Sequence, residues 1–263
     1  MSGLILKSPA EIEIMDEANR IIRDTLDALS MQIGVGMTTK EIDRIVETRL
    51  VEAGGVPAFK GYPHNNDGKD FPGSACVSVN DEIVHGVPDE NRVLEDGDIV
   101  SVDVGVLYRG YYGDSARTFP VGNIDEESKF LLKVTRESLE LGVQQTRLGN
   151  RVSDIGHAVQ SHVEKHGFSV VQEFVGHGIG ASLHEDPQVP NFGAPGRRER
   201  LQKGMVLAIE PMVNAGGPEV MVSARDLWTA RTRDGRRSAH FEVCVAITNG
   251  EPRVLGAPVG CLS

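Results

Sequence analysis

Cysteine is scarce in this chain. Three residues in 263, Cys76, Cys244 and Cys261, stand far apart and form no CxxC pair. So odd and sparse a count excludes a disulfide framework and fits a reducing compartment. Long apolar runs are also missing. No stretch approaches the ~18 apolar residues of a membrane span, and "MSGLILKSPAEIEIMDEA" carries only a four-residue apolar run before charges intervene, too short for a secretory signal. The expected location is the cytoplasm, with no membrane partner. Excess positive charge is the third absence. With 27 basic against 38 acidic residues the net charge is −11, which leaves no basic face for phosphates and argues against general nucleic-acid binding, so no specific nucleic acid is expected as a partner. Low-complexity segments and linkers between independent domains are absent too. What remains is an ordinary globular composition, 40% hydrophobic and 25% charged, long enough for a large core.

Two helix signals open the chain. Ser8-Pro9 with Glu11 combines an N-cap, a proline at the first helical position and a capping-box acid. Ile12, Met15, Ile22, Leu26 and Leu29 then recur at helical spacing towards a loop at Gly34. Thr38 with Glu41 starts a second helix, which carries Ile42, Ile45, Val46 and Leu50 to a stop at Gly54-Gly55. Strand-like runs follow in "ACVSVN", "EIVHGV" and "VSVDVGVLYRGYYGDSARTF". The order then repeats. "EESKFLLKVTRESLELGV" and "RVSDIGHAVQSHVEKHG" read as helices, "GMVLAIEPMV" and "SAHFEVCVAIT" as strands. Asp234-Gly235, between "WTARTR" and "RRSAHF", reads as a hairpin turn. A helix pair followed by strands, twice over, predicts an α+β fold. Its two similar halves, at about 8–120 and 125–250, share one sheet within a single domain over residues 1–263.

The strands carry an anomaly. Val100, Val102, Val104 and Val106 alternate as on a strand with one buried face, yet Asp103 sits among them and Asp114 follows beyond a Tyr-Arg-Gly turn. A strand interior is a poor place for a carboxylate, and burying its charge unpaired is costly. An even loop at Tyr108-Arg109 or Arg109-Gly110 puts both acids on one face, directly opposite or diagonal, ~5–8 Å apart between Cβ atoms. Two carboxylates so close repel, and one takes up a proton unless a cation sits between them. The second half repeats the pattern. Glu210 interrupts "MVLAIEPMV" and is followed by a proline. Glu242 points away from the face lined by Phe241, Val243, Val245 and Ile247. His177 in "GHGIG" is flanked by glycines that permit close backbone approach. Four carboxylates and one imidazole suit two divalent ions such as Mn²⁺, Fe²⁺, Co²⁺ or Zn²⁺. The spacing therefore points to a two-metal hydrolytic site and leaves the substrate open.

The motifs "FPGSACVSVNDEIVHGVPD", "DVGVLYRGYYGDSARTF", "GHGIGASLHEDPQVPNFG", "GMVLAIEPMVNAG" and "SAHFEVCVAIT" stand in the order and spacing of type I methionine aminopeptidases, which this chain resembles from about residue 8 to about 255. The resemblance implies the pita-bread fold, two pseudo-symmetric αβ halves around a curved antiparallel sheet. It implies that Asp103 chelates one metal ion, that His177 and Glu210 serve the other, and that Asp114 and Glu242 bridge both. It implies that His85 contacts the scissile amide nitrogen or the N-terminal amine, and that His184 hydrogen-bonds the scissile carbonyl oxygen. Glu210 is then the proton acceptor for a water bridging the two ions. Tyr62, Phe71, Cys76, Leu183 and Trp228 match positions of the methionine pocket, whose soft apolar walls suit a thioether. The implied substrates are the N-termini of nascent chains, and the implied state is a monomer.

The chain departs from the family pattern in places. The polar stretch at 63–70 is longer than usual and puts Tyr62 in question; Gly105 stands where threonine is common, and His240 and Val243 replace a glutamine and a histidine. A Cys-rich zinc-finger extension is missing. The arginine clusters at 196–200 and 231–237 are candidates for a transient ribosome contact, against a plainer role as solvated loops. Cys76 is expected to be reactive if exposed. Two other readings remain open at this level. A metal-free binding protein of the same fold would have lost metal ligands, and an Xaa-Pro peptidase would carry a larger N-terminal domain.

Overall fold

A computed structural model describes residues 3–64 and 68–257; Cys261 and part of the 63–70 stretch lie outside the described residues. Helices α1 (Pro9–Ser30) and α2 (Thr39–Glu52) both begin with the capping boxes expected from Ser8–Glu11 and Thr38–Glu41. Strands β1 (Val56–Pro57), β2 (Cys76–Val79), β3 (Glu82–Val84), β4 (Ile99–Tyr108) and β5 (Tyr111–Pro120) come after them. Helices α3 (Glu126–Gln144) and α4 (Val152–Lys165) open the second run. The short strands β6 (Ser169–Val170), β7 (Gly176–Gly178), β8 (Glu185–Val189), β9 (Val206–Ile209) and β10 (Met212–Asn214) come next. The last are β11 (Val220–Val222), β12 (Ala230–Thr232), β13 (Ser238–His240), β14 (Val243–Ala246) and β15 (Arg253–Val254).

All the strand pairs are antiparallel. In the first half, β4 pairs with β1, β2 and β5. Val100, Val102, Val104 and Val106, all fully buried, pack against Ile22, Leu26, Leu29, Ile42, Val46 and Leu50 of α1 and α2. Burying each such side chain is worth about 1.5–3 kcal/mol over leaving it exposed. A one-residue slip would forfeit all four valines and drive Asp103 into the helix layer, so the register is strongly specified. The β4–β5 loop is the two-residue Arg109-Gly110, both with positive φ (51° and 88°), the geometry that matches strand twist in a tight hairpin. In the second half α3 and α4 cover the sheet in the same way, with Leu139, Val143, Val152 and Ile155 packed on Leu207, Ile209 and Val245.

The run "GMVLAIEPMV" is two strands, not one. It breaks at Glu210-Pro211 between β9 and β10, and "SAHFEVCVAIT" breaks at Phe241-Glu242 between β13 and β14. The breaks lie opposite each other. Ile209 pairs with Val243 and Met212 with His240, so the register is unchanged across the gap and Glu210 faces Glu242. Pro211 has no N–H to give to a ladder, which is one reason the pairing stops there. A second correction concerns the hairpin expected at Asp234-Gly235. The turn is present, with Gly235 at φ 73°, but its flanking strands part company. β12 pairs with β11 and β3, while β13 pairs with β10. One partner of β12, β3, comes from the first half of the chain, and the turn joins two sheets instead of closing one.

Candidate metal centre

The inner face of the sheet, away from the helices, encloses a cavity of about 840 Å³. Its floor collects the strand acids. Asp114 pairs in register with Gly105, two residues from Asp103, so the two carboxylates are diagonal neighbours on one face. Asp103 in turn sits opposite Cys76. The second half is joined at this point, because Ala116 and Glu242 exchange both backbone hydrogen bonds, N–H of Glu242 to O of Ala116 at 2.9 Å and the reverse at 3.4 Å. That bridge draws Glu242, and Glu210 facing it, up to Asp114. His177 arrives on β7 between glycines that have no room for side chains. A Cβ on Gly176 would lie 2.4 Å from Ala208 O, and one on Gly178 would lie 2.3 Å from Asp186 O.

His177 Nε2 is 3.8 Å from Asp114 Oδ2 and 3.6 Å from Glu210 Oε1. Its Nδ1 donates to Gly178 O at 2.9 Å, which leaves the Nε2 lone pair facing the acids. Ligand atoms of Asp114, His177 and Glu242 all lie within 4.8 Å of one another. Among the described residues none of the four acids is ion-paired with a lysine or an arginine, and Asp103 Oδ1 and Asp114 Oδ1 are buried with no hydrogen-bond partner. Burial holds Asp103 up at about 7. Burial and then the charges of neighbouring acids hold Asp114, Glu210 and Glu242 well above the carboxylate range. Burial also lowers His177 to about 4. Four crowded carboxylates beside a neutral imidazole make a site whose missing component is positive charge.

The wall above is aromatic. Trp228 stands edge-on to Phe71 at 5.3 Å between ring centroids, and His85 stands edge-on to Phe174 at 5.2 Å. Trp228 Nε1 donates to Lys69 O at 2.9 Å, so the backbone at Lys69 braces this wall. Tyr62 does reach the cavity despite that longer stretch, and its Oη is 2.9 Å from His184 Nδ1. Leu183 and Cys76 line the same space. His85 takes a left-handed backbone, φ 59°, a strained conformation for a residue that is not glycine.

A scan of family models matches residues 13–249 to metallopeptidase family M24. The chain belongs to metallopeptidase family M24. Within the family it falls on the type I methionine aminopeptidase branch. It is 53% identical over 245 residues to methionine aminopeptidase 1 of Bacillus subtilis, covering 93% of this chain and 96% of that one. Among solved structures, methionine aminopeptidase from Thermotoga maritima superposes with a TM-score of 0.93 at 43% identity, covering 97% of this chain and all of that one. The prolidase from Pyrococcus furiosus, at 23% identity and a TM-score of 0.76, shares the fold; the match covers 97% of this chain but 66% of that protein. The α+β pita-bread architecture is thus the observed one.

As in a metallopeptidase, the donor set fits divalent cations: oxygen-rich, one nitrogen, and two orphaned buried carboxylate oxygens. The twelve side chains singled out in the sequence all line this one cavity. The condition set for a reactive Cys76, exposure, is not met. The residue is 5% exposed, and burial, followed by the charge of Asp103, pushes its thiol well above the usual range, so it is an inert wall residue. Other contributors were missed. Phe174 backs His85, and its place three residues before His177 in "QEFVGHG" is the only signal it offers. Asn191 Nδ2 donates to Glu210 O at 3.0 Å and braces the broken strand, which no local pattern announces. Phe59 explains Gly105: a Cβ there would lie 2.6 Å from the Phe59 ring.

Proposed function

We propose that this M24 peptidase removes the N-terminal methionine from peptides and nascent proteins in the cytoplasm, and that Asp103, Asp114, His177, Glu210 and Glu242 hold two divalent metal ions there. One observation carries the reading: acids from both halves converge, with His177, on the floor of an apolar-walled cavity, and among the described residues no lysine or arginine balances them. Divalent ions held by these five residues would supply Lewis acidity and lower the pKa of a water towards neutrality. The chain's own groups do the rest. Glu210 accepts the proton of the attacking water and delivers it to the departing amine. Tyr62 Oη lies 2.9 Å from His184 Nδ1; in the tautomer whose Nδ1 accepts from that hydroxyl, Nε2–H of His184 is free to stabilise the scissile carbonyl oxygen as it gains charge. His85, fixed by its backbone and by Phe174, contacts the scissile nitrogen or the terminal amine. Tyr62, Phe71, Cys76, Leu183 and Trp228 receive the methionine side chain, whose polarisable sulfur gains from aromatic contact.

Incubation of the purified protein with Met-Ala-Ser and Ala-Pro peptides, with and without chelator, tests the reading. Free methionine is expected from Met-Ala-Ser only, and only when a divalent metal is supplied. Inertness with every divalent metal would favour a binding protein on this fold, and proline release would favour the Xaa-Pro peptidase.

A further inference from the structure

One buried ion pair lies outside the metal centre. Lys7 Nζ is 2.5 Å from Glu185 Oε2, with side chains only 3% and 4% exposed. The recess is cut to fit it. A Cβ on Gly180 would fall 2.4 Å from Lys7 Cε and 2.7 Å from Glu185 Oε1, so a side chain there would displace the ends of this pair. Glu185 Oε1 also accepts the Ser182 N–H at 3.1 Å, closing the turn that carries Leu183 and His184. From the other side, Lys7 Nζ donates to Ile5 O at 3.1 Å and Lys7 N–H to Gly204 O at 2.7 Å. Residues 3–7 are thereby tied down as a strap. Leu4 packs inward against the core that includes Leu207 and Val245, while Gly3 and Ile5 line the cavity. Ile5 is 56% exposed.

A lone exposed isoleucine means little. Here it stands on the rim of the substrate cavity, on a strap secured by a pair that is costly to break once removed from water. We propose that residues 3–7 wall the groove taken by the substrate polypeptide beyond its scissile bond, with Ile5 touching that chain and the Lys7–Glu185 pair latching the wall to the His184 turn. The occupant is an extended peptide. Phe71, Trp228, His85 and Phe174 supply an aromatic part of the cavity lining, which suits a methionine side chain, and Gly3 and Ile5 of the strap line the same cavity, where the remainder of the peptide can lie against them. This inference rests on the peptidase reading.

Ile5→Lys and Ile5→Glu variants, assayed on Met-Ala-Asp and Met-Ala-Lys peptides extended by two serines, test it. The ratio of kcat/KM for the aspartate over the lysine peptide is expected to rise about threefold to fivefold in Ile5→Lys and to fall comparably in Ile5→Glu, both shifts shrinking with added salt. A ratio within one variant cancels any loss of folded protein, so ratios unmoved in both overturn the proposal. Adding Lys7→Met to either variant frees the strap and is expected to return the ratio to its wild-type value; a ratio still displaced overturns the latch. Wild-type protein that cleaves neither peptide overturns the peptidase reading, and this inference with it.

Discussion

Asp114 is the acid with the most at stake. It is 4% exposed, has one carboxylate oxygen without a partner, and shares its space with His177 and Glu242. Asparagine is nearly isosteric there but carries no charge, so Asp114→Asn is expected to cut turnover by more than about 100-fold, given that even outer-shell changes at metal sites cost about 10–100-fold. Metal content should fall with it, while the metal-free variant melts no lower than metal-free wild type, because a repelling charge is gone. Near-full activity and stoichiometry would show that Asp114 bridges nothing. The anomaly was legible in the sequence at Asp103, an acid set among alternating valines, and the parity of the hairpin brought Asp114 to the same face. His85 and His184 were legible only through the family motifs; their spacing distinguishes neither from a loop histidine. Asn191 and Phe59 act through contacts with residues distant in the chain, and nothing local marks them.

Among the elements, α1 was the most fully written in the sequence, and its start is tied to the site-bearing hairpin. Glu11 accepts the Ser8 N–H at 2.6 Å and the Tyr111 Oη–H at 2.6 Å, joining the helix N-terminus to the first residue of β5. These hydrogen bonds, that with Ser8 foremost, lower the Glu11 carboxyl from its ordinary 4.5 to about 2. Because the folded-state value lies below the unfolded one, the stabilisation is fully present above pH 4.5 and is lost as pH falls towards about 2. Glu11→Gln should therefore melt below wild type at neutral pH, with the gap closing across that acid window. A gap that stays constant with pH would mean the carboxylate charge does not matter. The strands were less legible. β9 with β10, and β13 with β14, read as single runs because the residues flanking Glu210-Pro211 and Glu242 are apolar or β-prone. The breaks come from pairing across the sheet and from Pro211, not from composition.

For the whole molecule, the acidic floor makes stability a function of metal. A ligand that binds only the folded state adds about 2.7 kcal/mol per site at a concentration 100 times its Kd. Saturating Mn²⁺ or Co²⁺ should accordingly raise Tm and chelator should reverse it, in calorimetry that needs no substrate; an unchanged Tm would argue that no ion binds. The arginines at 231–237 speak to a second whole-molecule question. Arg231 pairs with Asp81 and Glu82, Arg236 with Glu127 and Arg237 with Asp125. Three of the four arginines in that cluster thus have acidic partners within the molecule, in keeping with a solvated loop. Among the described residues no helix is long and apolar enough to cross a membrane.

Caps, helical spacing and strand alternation are local properties, so the sequence by itself determined the four helices, the long hairpin, and which face of each strand its acids occupy. Periodicity says which way a side chain points; it does not say which distant strand it meets. That Glu210 faces Glu242, that Ala116 binds Glu242 and so brings the halves together, and that β12 abandons its neighbour for β3 were decided by tertiary pairing alone. The choice depends on how the apolar outer faces can be buried under two helix pairs, and that is a property of the assembled sheet.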